Sequence, residues 1–430
     1  MSKAINFIIS TSFIVSRLVA ILLLLLSSCH LVDGQDNNKD ELAQLKKVLS
    51  ETATYAADVL LDKEGKSRCD YNMTEGKWYP YEEPWHTGQV IFGLLEAYRI
   101  TKEERFLTAA IKAGDWWTAL EITDHPKLKG MVNAQHADHA GDVIVFATVS
   151  DGTAGLFELQ KVTKVDKYAR IPTQAGEWML KNMCEMDLGL CYDSVDPETG
   201  EVLKENSPFH QGKENQTIND VARPNNEGSL FLDMYRYTSD EKHKEAFIKL
   251  CNSVLETQDE HGLWMDFIPN HKEVSTFHPR FNLWYAESLM NGYDLTGEEK
   301  YLIGAQKTVE RYLKAQMKSG AIYYENFLDG NYTKSSICGS AVAFNAMLMI
   351  RLEAYGYESD LYKERIKLSS DWLIKNRFAT DHPDVNLRGA IMNIRTRYRK
   401  NKHWIVNRDV GTSFGLRFFA AYHDYLQEKK

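Results

Sequence analysis

The chain has 430 residues, 43% of them hydrophobic and 26% charged, with a formal net charge of −9. That acidic balance speaks against a general nucleic-acid or polyanion surface, so no nucleic-acid partner is expected. Six sparsely placed cysteines without a CxxC pair exclude a disulfide-built scaffold and a zinc ribbon, although Cys184 and Cys191 are close enough in sequence to form one bridge.

Residues 1–28 read as a secretory signal. Lys3 and Arg17 flank apolar runs, and the run Leu18 to Leu26 is too short to span a bilayer. The stretch Leu26-Ser27-Ser28-Cys29 resembles the lipobox of bacterial lipoproteins. The resemblance implies a lipid anchor at Cys29 as the only membrane contact; simple cleavage and secretion is the alternative. Residues 29–39 are polar and form a tether. A single catalytic domain is expected over 40–430.

From Asp40 to Leu61 the spacing predicts a helix, with Leu42, Leu45, Leu49, Ala53, Ala56 and Leu60 on one buried face. A repeated unit follows: apolar helix, tight turn, amphipathic helix, Gly-led turn into a short strand, loop. The apolar helices are predicted near 84–99, 151–163, 225–237, 281–295, 338–355 and 410–426. Their amphipathic partners are predicted near 102–121, 165–183, 240–256, 298–316 and 359–376. The tight turns share a motif: "ITKEERF" from Ile100, "VTKVDKY" from Val162, "YTSDEKH" from Tyr237 and "LTGEEKY" from Leu295, with a looser "YESDLY" from Tyr357. Thr, Ser or Gly followed by acids is read as N-capping of the second helix. "AGDWW" at Ala113, "AGEWM" at Ala175 and "SSDWL" at Ser369 mark one depth in the second helices. Glycines 130, 189, 262, 320 and 389 open the strand turns.

The last apolar helix has no partner after it, and the helix over 40–61 has none before it. Paired, they supply a sixth hairpin and close an all-α (α/α)6 toroid, with the apolar helices inside and short strands at the mouth. An open solenoid would leave both apolar flanks exposed.

In such a ring the segments before the inner helices meet at one mouth, where charge must be paired or functional. Those segments carry Tyr79, Tyr81, Glu82, Glu83, Trp85 and His86; His136, Asp138, His139, Asp142 and Asp151; Arg223, Asn225, Asn226 and Glu227; His278, Arg280, Asn282 and Trp284; and Trp404, Asn407, Arg408 and Asp409. Aromatic faces beside carboxylates and amides suit sugar recognition. Glu227, Asp151, Asp409 and Glu83 are the candidate catalytic acids; capping is the alternative for Asp151 and Asp409. Trp85, His86, His136, His139, Asn226, Arg280, Trp284 and Arg408 are the candidate substrate contacts. His136, His139 and Asp142 step by three, but a Gly interrupts the run and a fourth ligand is missing. Substrate contact or acid/base use is the preferred reading there, and no metal or cofactor is expected. Arg395, Arg397, Arg399, Lys400, Lys402 and Arg408 form the one strong charge cluster. It reads as a rim for an anionic substrate; a solvated loop or a homodimer contact is the alternative.

The repeated hairpins, with "EPWHTGQ" and "NNEGSLFLDMYRYT", resemble the six-hairpin carbohydrate-active enzymes, and among them the unsaturated glucuronyl and rhamnogalacturonyl hydrolases and related β-glucuronidases. The resemblance implies a glycoside hydrolase that removes a uronic acid from an acidic oligosaccharide by carboxylate acid/base catalysis. "FNLWYAES" carries Asn282 where that group leads one to expect an acid, which favours ordinary hydrolysis over hydration of an unsaturated sugar. Two rivals stand beside it. One is a polysaccharide lyase using Asn226 or His139 as neutraliser and His86 or Tyr81 as base. The other is a surface glycan-binding lipoprotein without catalysis.

Overall fold

Four copies of the turn motif fold alike. Thr101, Thr163, Thr238 and Thr296 each end an apolar helix and donate their hydroxyl back to the carbonyl four residues earlier, at 2.7–2.8 Å. Each also accepts the backbone N–H two residues on, at 3.1–3.3 Å. The residue between (Lys102, Lys164, Ser239 or Gly297) takes a left-handed φ of 60–72°. The expected N-capping role is therefore corrected. The Thr sits at the C-terminus of the first helix, where the left-handed residue reverses the chain. Of these four turns, only Asp240 caps the following helix with its side chain, accepting from the Lys242 amide at 3.1 Å.

The computed structural model describes residues 39–136, 143–208, 213–357, 359–399 and 402–428. The expected leader, Cys29, most of the expected tether, Asp138, His139, Asp142 and Lys400 lie outside them. We number the hairpin helices in chain order: α1 (39–60, ending in the π-turn Ala56–Leu60), α2 (Glu83–Thr101), α3 (Glu104–Thr118), α4 (Phe146–Thr163), α5 (Lys167–Asn182), α6 (Leu230–Thr238), α7 (Glu241–Glu256), α8 (Phe281–Thr296), α9 (Glu299–Ala315), α10 (Gly339–Ala354), α11 (Asp360–Lys375) and α12 (Val410–Glu428).

The even-numbered helices form a closed inner ring. α2 touches α4 and α12, α10 touches α8 and α12, and the turn Glu227–Ser229 joins α4 and α6 to α8. The odd-numbered helices lie outside. Their small residues admit the inner layer: a Cβ on Gly114 would meet Leu159 at 2.4 Å, and one on Gly176 would meet Met234 at 2.2 Å.

α1 is the sixth outer helix. Its Glu41 accepts from Tyr422 of α12 at 3.0 Å, its Glu51 pairs with Arg377 at 2.6 Å, and its Ser50 donates to Glu103 at 2.5 Å. Leu45, Leu49, Ala53, Ala56 and Leu60 are buried, as the spacing predicts. The two ends of the described chain thus close an (α/α)6 toroid.

Small sheets gather at the mouth. The largest takes its strands from distant parts of the chain: β1 (Asp70–Asn72), β2 (Lys77–Tyr79), β3 (Thr276–Phe277), β4 (Tyr323–Phe327), β5 (Tyr332–Ile337), β6 (Ile394–Arg399) and β7 (Lys402–Asn407). Their spatial order is β2-β1-β7-β6-β5-β4-β3. β6 and β7 form the hairpin of the basic cluster, with Arg395 opposite Val406. Cys184 and Cys191 are disulfide-bonded, while Cys69, Cys251 and Cys338 are free and buried. Among the described residues no helix is long and apolar enough to cross a membrane.

Candidate active site

Two close helix contacts place the acids. α2 and α4 meet glycine to glycine: a Cβ on Gly88 would lie 1.9 Å from the Gly152 carbonyl, and one on Gly155 would lie 2.2 Å from the Gly88 carbonyl. Gly228, with φ +73°, lets the chain before α6 press onto α4, where a Cβ would meet the Ser150 carbonyl at 2.4 Å. Glu82, Asp151 and Glu227 are thereby brought to one cavity of about 610 Å³ at the mouth. A void of that size suits a small ligand.

Asp151 does not cap a helix. α4 starts at Phe146, five residues before it, so the side chain leaves the helix face and enters the cavity. It is 6% exposed, and its Oδ1 has no partner. Burial, then the neighbouring Glu227, push its carboxyl well above the usual range. Glu227 is 2% exposed and pairs with Arg223 at 3.2 Å. Burial raises it as well, against the opposing pull of Arg223. That guanidinium is itself fixed by Asp193 at 3.0 Å, Asn225 at 2.9 Å and the Ile268 carbonyl at 3.1 Å. Arg223 thus favours the charge on Glu227, and Glu227 in turn disfavours it on Asp151.

Glu82 is the acid that sequence reasoning passed over in favour of its neighbour. It precedes α2 in a left-handed conformation, φ 50°, and pairs with His136. Burial works to raise it, but His136, His86 and Arg408 outweigh that and hold it below the usual range. Glu83 is instead the first helical residue and pairs outside the cavity with Lys66 at 2.8 Å. Pro84 in the first turn was the signal that fixed the helix start; it did not say which acid faces inward.

Asp409 is likewise not at the cavity. It is buried beneath it, accepting from Ser67 at 2.6 Å and pairing with Nδ1 of His86. Burial opposes its charge, yet His86 and Ser67 hold it below the usual range. His86 goes with it: its ring packs edge-on to Tyr81 and Trp85, which line the cavity. Asn226 donates to Ser288 at 2.6 Å and to Cys251 at 3.2 Å, and it too lies off the cavity. Asn282 ties Asn270, Tyr312 and the Trp264 amide together, so an acid there would face other loops, not the cavity.

Trp85, His136, Trp284, Arg280 and Arg408 do line the cavity, joined by Tyr81, Arg223, His278, Tyr324 and Arg395. Arg280 is 3% exposed, donates to Ser340 at 3.0 Å and Tyr324 at 3.2 Å, and has no carboxylate partner among the described residues. Arg408 donates to both carboxylate oxygens of Asp70, at 3.1 and 2.9 Å, and to Tyr324 at 3.0 Å. Arg280 Nε and Arg408 Nη2 are buried without a partner. His278 accepts the Arg280 and Phe281 amides on Nδ1, so its proton sits on Nε2. Burial and then Arg280, Arg395 and Arg408 hold it neutral. A buried guanidinium without a counter-charge is a site for an anion.

Among the described residues two groups have metal-like spacing. Cys69, His86 and Asp409 bring ligand atoms within 4.8 Å of one another, as do Glu177, Asp240 and His243. Asp409 is already satisfied by Ser67 and His86, and burial pushes the Cys69 thiol well up. The second group is occupied by Lys242, which pairs with both its acids.

No family model matches the chain, and no curated protein matches it. Solved structures do. Cellobiose 2-epimerase from Bacillus thermoamylovorans superposes with a TM-score of 0.67 at 15% identity, over 90% of this chain and 99% of that one. An alpha-1,6-mannanase from Salegentibacter gives 0.57 at 14%, over 89% and 99%. The unsaturated glucuronyl hydrolase of Bacillus sp. GL1, responsible for glycosaminoglycan degradation, gives 0.61 at 12%, over 87% and 96%. The chain shares the (α/α)6 toroid with carbohydrate-active enzymes. At these identities the likeness is one of fold, and the chemistry rests on this chain's own residues.

Proposed function

We propose that the protein is a glycoside hydrolase that removes a uronic acid, glucuronic or unsaturated, from polysaccharide-derived oligosaccharides. One observation carries the reading. Asp151, whose carboxyl is pushed well up, and Glu227, paired with Arg223, share their cavity with Arg280, a buried guanidinium that lacks a carboxylate among the described residues. Fold neighbours that include hydrolases of mannan and of unsaturated glucuronides support it.

Asp151 gives its proton to the glycosidic oxygen as the bond to the anomeric carbon breaks. Glu227 activates water, or attacks the anomeric carbon itself. Arg280 and Arg408 hold the sugar carboxylate, and the rings of Trp85 and Trp284 stack on the CH faces of the sugar.

A panel of acidic and neutral oligosaccharides, with products weighed by mass spectrometry, tests this. Release of uronate is expected; cleavage of neutral sugars alone would sink the acidic-substrate part. Glu227→Gln is expected to keep the circular-dichroism spectrum and lose uronate release, and unchanged turnover would remove Glu227 from the mechanism. Arg280→Met is expected to raise KM for the uronide by about 10–100-fold, the worth of a charge-assisted hydrogen bond, with kcat changed less. An unchanged KM would place the carboxylate elsewhere.

A further inference from the structure

Tyr324 stands apart from the other buried tyrosines. It is carried by β4 at the cavity wall and is 7% exposed. Its hydroxyl oxygen accepts from Nη1 of Arg280 at 3.2 Å and from Nη1 of Arg408 at 3.0 Å. Arg395 lies over its ring at 5.3 Å. Two donated hydrogen bonds use both lone pairs of a phenol oxygen, so its own proton is directed elsewhere. Among the described residues, nothing accepts that proton. Burial alone raises the pKa of a tyrosine, and Tyr81, Tyr285 and Tyr312 are all pushed up. For Tyr324 burial pulls the same way, but Arg280 and Arg408 overcome it and the phenol is lowered.

The same two arginines supply the buried donors without a partner, Arg280 Nε and Arg408 Nη2. An acidic sugar whose carboxylate takes those donors is held, through the carbon that bears the carboxylate, by the same two guanidiniums that bond the Tyr324 oxygen. The C–H bond there is the acidic one of a uronate, because the carboxylate, neutralised by guanidinium, accepts its electron pair.

We propose that Tyr324 is a proton-transfer residue that acts on the C–H bond next to the carboxylate of the bound uronide, giving the pocket an eliminating activity. Tyr324 as phenolate takes the proton, and the C–H electron pair moves onto the carboxylate held by Arg280 and Arg408. That pair then returns to form a carbon–carbon double bond while the bond to the glycosidic oxygen on the adjacent carbon breaks. The departing oxygen takes the proton back from the Tyr324 phenol. One C–H and one C–O bond are lost, one C=C bond is formed, and the phenolate is regenerated. The proposal rests on the acidic-sugar part of the reading above; it does not require that hydrolysis occurs.

The test uses the full chain with oligosaccharides of glucuronate and of galacturonate in heavy water. Binding is followed by calorimetry, deuterium at the carbon bearing the carboxylate by NMR, the unsaturated product by ultraviolet absorbance and free uronate by mass. Deuterium incorporation or new absorbance is expected with the wild type. Both are expected to fall about 10²-fold or more in Tyr324→Phe, with uronide binding retained. Binding and uronate release without deuterium or absorbance overturns the Tyr324 proposal and leaves the hydrolase standing. Deuterium or absorbance without uronate release leaves Tyr324 and removes the hydrolase. No binding to any uronide removes both. Unchanged exchange in Tyr324→Phe overturns the assignment of the residue.

Discussion

Asp151→Asn is expected to lower turnover about 10²–10⁴-fold while making the protein more stable in alkaline solution. The first half follows from position. Asp151 is the cavity acid that keeps a proton, because burial and Glu227 both oppose its charge. Asn has the same shape but no proton to give. The wild-type pH profile is expected to be bell-shaped. Activity falls with acid as the Glu227 side of the pair is protonated, and falls with alkali as Asp151 loses its proton.

The second half follows from linkage. The folded-state pKa of Asp151 is raised above its unfolded value, so its contribution to stability is fully present below the unfolded pKa and is lost as pH rises through the folded one. A neutral Asn has nothing to lose there. Melting temperatures of wild type and variant should therefore agree below about pH 4, where the unfolded carboxyl also keeps its proton, and part increasingly as pH rises, with the variant higher. A variant that melts lower at alkaline pH would mean that the Asp151 carboxylate is welcomed in its charged form. The assignment of the proton donor would then pass elsewhere.

The helices were legible and the electrostatics were not. Inner and outer helices announce themselves through apolar spacing, and four Thr-led turns mark where one ends and the next begins. Even so, a cap-type residue at Asp151 predicts a start for α4 there, whereas the helix begins at Phe146, and the residue before it, Val145, makes no side-chain cap. That error turned a residue on a helix face into a candidate cap. Glu82 and Glu83 differ by one step at a helix start, and only a left-handed backbone at Glu82 decides which one enters the cavity. The ion pairs Arg408–Asp70 and Arg223–Asp193 join residues 338 and 30 positions apart. No local pattern predicts them. Tyr324 sits in "GAIYYENF", where Ile322, Tyr324 and Asn326 alternate inward. The period of two was readable, but the arginines that converge on it were not.

Removing residues 39–61 is expected to unfold the protein outright, although they contribute no side chain to the cavity. Leu45, Val48, Leu49, Leu60 and Leu61 are all buried within the core. Burying each such side chain is worth about 1.5–3 kcal/mol, and the whole fold is held by only about 5–15 kcal/mol. Deletion also uncovers the flank of α12, where Tyr422 packs at 2% exposure, and strands Arg377 without Glu51. A closed ring has no spare hairpin to fill the gap, whereas an open solenoid tolerates the loss of an end. A milder version separates the two cases. Leu49→Ala, at a fully buried position, should cost about 2–5 kcal/mol and lower the midpoint of urea unfolding with its slope unchanged. If the truncated chain instead melts cooperatively near the wild-type temperature, α1 is an appendage. The mouth that gathers Glu82, Asp151 and Glu227 would then be held by five hairpins and not by closure.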